Sequence, residues 1–332
     1  MALDGGMTTS QCQRDVHVMQ SCRPWIRPFA PSPTRRQFLR LHAPLKCSSE
    51  SQATEVYTIP QRLNNVPASR ETRKFFYDDV CTAVKTAVAA EERLLSVRLT
   101  IPETNPEMDV YRIGTVLELV RDLVTDLATD GKRVKVCVQQ ALGQGVFQGL
   151  PLSLSGVRRI MENMDWGDVF DFVSFGNVGS DHLDDSAYYV IVAPQNVVGS
   201  TIMTKLLEMA DAAVRQGKTL ILFNPLLKDL PSASGVMGVR GRKERMEFAD
   251  SFVPAYHFRL LYSSSAMMYP IRGALRHVYG GPWEVFKRVD LGKRTEEYRF
   301  VGSFDKEPDG RLLTPLFQEQ PQKKNSGAWW NL

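Results

Sequence analysis

The chain has 332 residues, 43% hydrophobic and 23% charged, with a formal net charge of +4 at pH 7. That suits one large globular domain or two small ones around a full core. Residues 1–49 hold seven Lys and Arg against two acids, so the remainder is close to neutral; this excludes the broad basic field that non-specific nucleic-acid binding needs, and no apolar run approaches the roughly 18 residues of a membrane span.

Residues 1–49 are rich in Arg, Pro and Ser and poor in acids, as in "RPWIRPFAPSPTRRQFLRLHAPLK". The composition predicts an organellar transit peptide, with a disordered basic arm as the rival reading and a mature start near Cys47 to Ser51. Of the five cysteines, Cys81 and Cys137 fall in apolar periodic segments without a C-x-x-C pair, and are expected to be buried free thiols.

From residue 70 the pattern alternates. Ser69 is a candidate N-cap for a helix running to about residue 94, with Phe75, Phe76, Val80, Val84 and Val88 on one face. "LLSVRLTIP" is a strand stopped by Pro102. "YRIGTVLELVRDLVTDLATDGK" is an amphipathic helix closed at Gly131, and "RVKVCVQQ" the next strand. Ser155 is expected to cap the short helix "GVRRIMENM". The strands "DFVSFG" and "YYVIVAP" follow, then the helix "GSTIMTKLLEMADAAVRQG" and the strand "TLILFN". The near-complete apolar character of 188–193 and 219–223 indicates burial on both faces. The alternation predicts an α/β fold: an open, Rossmann-like, mostly parallel sheet flanked by helices. "FRLLYSS", "MMYPIRG", "ALRHVYG", "WEVFKRVD" and "EYRFVGSF" predict a β-rich C-terminal extension as a meander. One α/β domain is expected over 70–304, and a polar, flexible tail over 305–332.

Several motifs bear on chemistry. Gly217-Lys218-Thr219 mimics the end of a phosphate loop, but there a helix precedes and a strand follows, the reverse of what that loop needs. Gly217 is better read as a helix C-cap. "GQGVFQG" is too widely spaced for a dinucleotide loop, although it follows a strand at the edge where open α/β folds bind ligands. "SDHLDDS" reads as a solvated turn, and His257 and His277 as core or edge histidines. Arg240, Arg242 and Lys243 lie beside glycines before a helix, either a basic turn or a candidate anion site. Asn196 and Asn224 end two successive strands, each adjacent to a proline. They either bond freed backbone groups or line a shared crevice. Trp329 and Trp330 in "KKNSGAWWNL" are candidates for docking on a partner or an anionic membrane surface. No metal site, cofactor or catalytic residue is read from the sequence.

The strings "IPETNPEMDVYRIGTVLELVRDL", "DGKRVKVCVQQALGQGVFQGLPLSLSGVRRIMENMDWG", "VAPQNVVGS", "LILFNPLLKDLPSASGVMG" and "FRLLYSSSAMMYPIRGALR" together resemble the low-PSII-accumulation family. This is a plastid and cyanobacterial domain-of-unknown-function family. The likeness covers about residues 70–305 and reaches "SGAWWNL"; Leu226 departs from it, standing where the family strings carry a basic residue. The resemblance implies a chloroplast protein, stromal or peripheral on the thylakoid. It would be a non-catalytic auxiliary factor for assembly of photosystem II core subunits, its partners those subunits or other assembly factors. The alternative from another class is a nucleotide- or phosphometabolite-binding plastid enzyme, motivated by the α/β sheet and the Arg240/Arg242 loop.

Overall fold

The computed structural model describes residues 59–140, 156–179, 183–196, 202–227, 242–263, 270–292 and 295–317. Among them nine strands form a single sheet: β1 (Leu94–Thr100), β2 (Val134–Val138), β3 (Val173–Asn177), β4 (Tyr188–Val192), β5 (Thr219–Phe223), β6 (Val253–Tyr262), β7 (Ile271–Val278), β8 (Trp283–Gly292) and β9 (Thr295–Phe304). Their spatial order is β3-β2-β4-β5-β1-β6-β7-β8-β9. Pairings from β3 through β6 are parallel, and those from β6 through β9 are antiparallel. The fold is therefore an open, mostly parallel α/β sheet extended by a C-terminal meander, as the alternation of elements implies.

Three helices cover one face, which we call the first. In α1 (Arg70–Ala89) the Ser69 side chain accepts from Thr72 N at 3.1 Å, which supplies the N-cap. Its Phe76, Val80 and Val84 pack with Leu117, Val120 and Val124 of α2 (Ile113–Ala128) and Val157 and Met161 of α3 (Val157–Glu162). The residue at the N-cap of α3 is Gly156; Ser155, expected there, lies outside the described residues. The opposite, second face carries α4 (Met203–Arg215), α5 (Arg242–Asp250) and α6 (Gly310–Phe317). Leu206, Met209 and Ala213 of α4, with Phe248 of α5, cover Tyr189, Ile191, Leu220 and Leu222. Leu313, Leu316 and Phe317 of α6 cover Leu275, Val285 and Trp283. Each fully buried aliphatic or aromatic side chain contributes about 1.5–3 kcal/mol on leaving water.

Gly217 takes φ +66° and donates its N–H to Val214 O, while Lys218 N bonds Ala213 O, so this is a helix C-terminus. Part of the segment expected as a polar tail, Gly310–Phe317, is α6. Its apolar residues are spaced so that Leu313, Leu316 and Phe317 share one face. Residues 318–332, with Trp329 and Trp330, lie outside the described residues.

Candidate functional site

Ligands in open α/β sheets bind at the carboxyl edge, where neighbouring strands send their connections to opposite faces. Two such points occur here. β2 leads to α3 on the first face, while its neighbour β4 leads to α4 on the second; β1 leads to α2 on the first face, while its neighbour β5 leads to α5 on the second.

At both points a side-chain amide bonds the backbone of the adjacent strand. Gln139, just past β2, donates through Nε2 to Gln195 O at 3.0 Å and accepts from Gln195 N through Oε1 at 2.8 Å. Asn224, just past β5, accepts from Leu99 N through Oδ1 at 2.7 Å and donates through Nδ2 to Leu99 O at 3.0 Å. β5 ends level with Val97, but β1 continues to Thr100. The Asn224 amide therefore stands in for the next peptide group of a strand that has stopped. Asn196 bonds Leu227 O through Nδ2 at 2.7 Å. Ala193 (φ +42°) and Asn224 (φ +46°) take matching left-handed turns before Pro194 and Pro225. The two chains then pair again, through Leu226 N to Pro194 O and Asn196 N to Leu226 O. The structure thus brings Asn196 and Asn224 to one edge, with both amides engaged on backbone groups.

The other expected site residues fare differently. Arg240 lies outside the described residues, and Arg242 is the first residue of α5. Lys243 is highly exposed and pairs with Glu247 at 3.7 Å on the α5 surface. Residues 141–155, with "GQGVFQG", and Asp181 and His182 are outside the described residues. Asp184, in the same acidic segment, is a structural hub. It receives Lys135 Nζ at 2.7 Å, Tyr189 Oη at 2.8 Å and Ser186 N at 3.0 Å. Its partial burial opposes ionisation, but the bonds from Lys135, Ser186 and Tyr189 prevail and hold its pKa well below the usual carboxylate range. Burial pushes the thiols of Cys81 and Cys137 up to about 12, so both are protonated at neutral pH. Among the described residues no group of three metal-ligating side chains converges.

Sequence reasoning missed a cleft on the second face. Between the patches covered by α5 and α6, the faces of β1 and β6 frame a cavity of about 330 Å³. Ser96 and Arg98 of β1, His257 of β6 and Trp283 of β8 line it, with Leu222, Pro225, Leu226 and Phe252 forming an apolar wall. Arg259 of β6 stands nearby and pairs with Glu307 at 3.8 Å. Burial lowers the Arg259 pKa, Glu307 opposes that shift and the neighbouring charge of Arg98 adds to it. Trp283 is fixed by stacking on His277, centroids 4.6 Å apart, and by an edge contact with His257 at 4.9 Å. The signal was in "LLSVRLT". A central strand buried on both faces has no reason to alternate, yet Ser96 and Arg98 interrupt every second position.

Compared with known protein families, residues 70–314 match the model described as a domain of unknown function, DUF1995. The match takes in well over half of the chain and continues into α6.

Proposed function

The chain belongs to the DUF1995 family, and from that premise we propose that it is a plastid counterpart of the chloroplast protein LOW PSII ACCUMULATION 3. On this reading it is a non-catalytic auxiliary factor that assists assembly of photosystem II core subunits. It works in the stroma or peripherally on the thylakoid after a transit peptide over residues 1–49 is removed.

The long strings quoted above support the reading, and one structural observation carries it furthest. At both switch points of the described sheet the amide side chains bond neighbouring backbone. Groups bound in this way brace neighbouring strands and build a stiff platform. A platform that presents surfaces and loops suits a binding partner better than a reaction centre.

The test uses the processed protein as bait on solubilised thylakoids, with chemical cross-linking and mass spectrometry. Enrichment of photosystem II core subunits or other assembly factors over an unrelated stromal bait is expected. No enrichment, together with saturable binding of a member of a nucleotide panel, would replace this reading with that of a nucleotide- or phosphometabolite-binding enzyme.

A further inference from the structure

Arg98 sits in the middle of a central strand, half-buried, at the floor of the cleft between α5 and α6. Removing a guanidinium from water is costly unless a partner compensates it. Among the described residues Arg98 makes no hydrogen bond or ion pair, whereas Arg259 beside it is held by Glu307. Glu107 and Asp250 also line the cleft. The wall opposite is aliphatic and aromatic, from Leu222, Pro225, Leu226 and Phe252.

We propose that this cleft binds a small amphipathic monoanion, a carboxylate on an apolar body, with Arg98 as the fork that holds the carboxylate. Two features select that class. A guanidinium presents parallel N–H groups that match a carboxylate in bidentate fashion. The apolar wall gains by burying hydrocarbon, and about 330 Å³ lies at the small end of ligand pockets. Trp283, clamped by His257 and His277, gives the floor a fixed shape. This site is independent of the assembly reading, because the cleft can bind its ligand whether or not the chain meets photosystem II subunits.

The experiment titrates the full chain calorimetrically with decanoate below its micelle concentration, with decanol and with inorganic phosphate. Decanoate is expected to saturate one site and to bind at least about tenfold more tightly than either control, the factor expected of a charge-assisted pair. Arg98→Gln should lose that factor for decanoate and leave decanol unchanged, with Arg98→Lys between them. If melting curves show that Arg98→Gln does not fold, Leu226→Gln reads the wall instead, and weaker decanoate binding is expected. Equal binding of decanoate and decanol overturns the proposal. So does phosphate binding as tight as decanoate, no saturation with decanoate, or undiminished decanoate affinity in the folded variant.

Discussion

A side-chain amide carries the same donor and acceptor as a peptide group, and Asn224 uses that equivalence to prolong a strand that has ended. Its removal would not affect both bonds equally. Leu99 O also accepts from Thr104 Oγ1 at 2.8 Å, so the carbonyl keeps a partner, while Leu99 N loses the acceptor at 2.7 Å. An orphaned N–H costs about 1–3 kcal/mol. Alanine adds about 1 kcal/mol for holding φ +46°, which asparagine tolerates and glycine adopts freely. Asn224→Ala should therefore destabilise by roughly 2–4 kcal/mol and Asn224→Gly by less, read from denaturant midpoints. Unchanged stability in Asn224→Ala would show that the amide serves something other than the fold. His277 makes a pH prediction. Burial lowers its pKa from the ordinary value of 6.5, against the opposing carbonyl of Pro282. The folded state thus holds it neutral, while the unfolded chain takes up a proton below pH 6.5. Its contribution is complete above that pH and is lost as pH falls toward the folded pKa. The melting temperature should drop between pH 7 and 5, and His277→Gln should flatten that slope.

Among the elements, β7 shows what the sequence concealed. "MMYPIRG" and "ALRHVYG" read as two pieces because Gly273 punctuates them, yet Ile271–Val278 is one strand. The glycine is there for space. A Cβ at that position would run into the carbonyl of Phe286 on β8 and come within 2.8 Å of the Phe317 ring on α6. Gly273→Ala should cost about 1–3 kcal/mol, or more if the strand pair must separate, and should loosen α6. Hydrogen exchange at β7, β8 and α6 would show it; protection at wild-type levels would mean that the sheet yields without cost. The helices, the parallel strands and their order of appearance were legible because periodicity and caps are local, as at Ser69 and Gly217. Asn224 and Asn196 were also found, since an apolar run ending at a polar residue beside proline is visible in one dimension. The cleft was not. It depends on β1 lying next to β6, 158 and 159 residues away in the pairs Leu95 with Val253 and Leu99 with Phe258, and on helices leaving that part of the face uncovered. α6 was read as tail for a related reason: eight residues with Pro315 inside carry little helical signal until Leu313 and Phe317 find the sheet.

For the molecule as a whole, the distribution of cover and charge bears on how it meets a partner. The first face is packed under α1, α2 and α3, and the second carries its helices in two patches. The body is near neutral, since all of the positive surplus lies in residues 1–49. Without that segment the remainder would exert little long-range electrostatic attraction on an anionic membrane, because screening limits such forces to about a Debye length. On the proposed reading, attachment would then come from a local element. The segment 318–332 is the candidate, with Lys323 and Lys324 followed by Trp329 and Trp330. Indole rings settle at membrane–water boundaries and interfaces, and each nearby lysine adds about 1 kcal/mol at an anionic surface. On the reading proposed above, that sum would give weak, reversible docking, as an assembly factor that must leave its product requires. Deleting residues 325–332 should leave the melting temperature nearly unchanged, because α6 already closes the second face over Trp283 and Val285 with Leu313, Leu316 and Phe317. The same deletion should lower recovery with thylakoids in a flotation assay, and Trp329→Ala with Trp330→Ala should reproduce the loss while Lys323 and Lys324 are retained. A large fall in melting temperature with membrane recovery intact would place the two tryptophans in the fold itself.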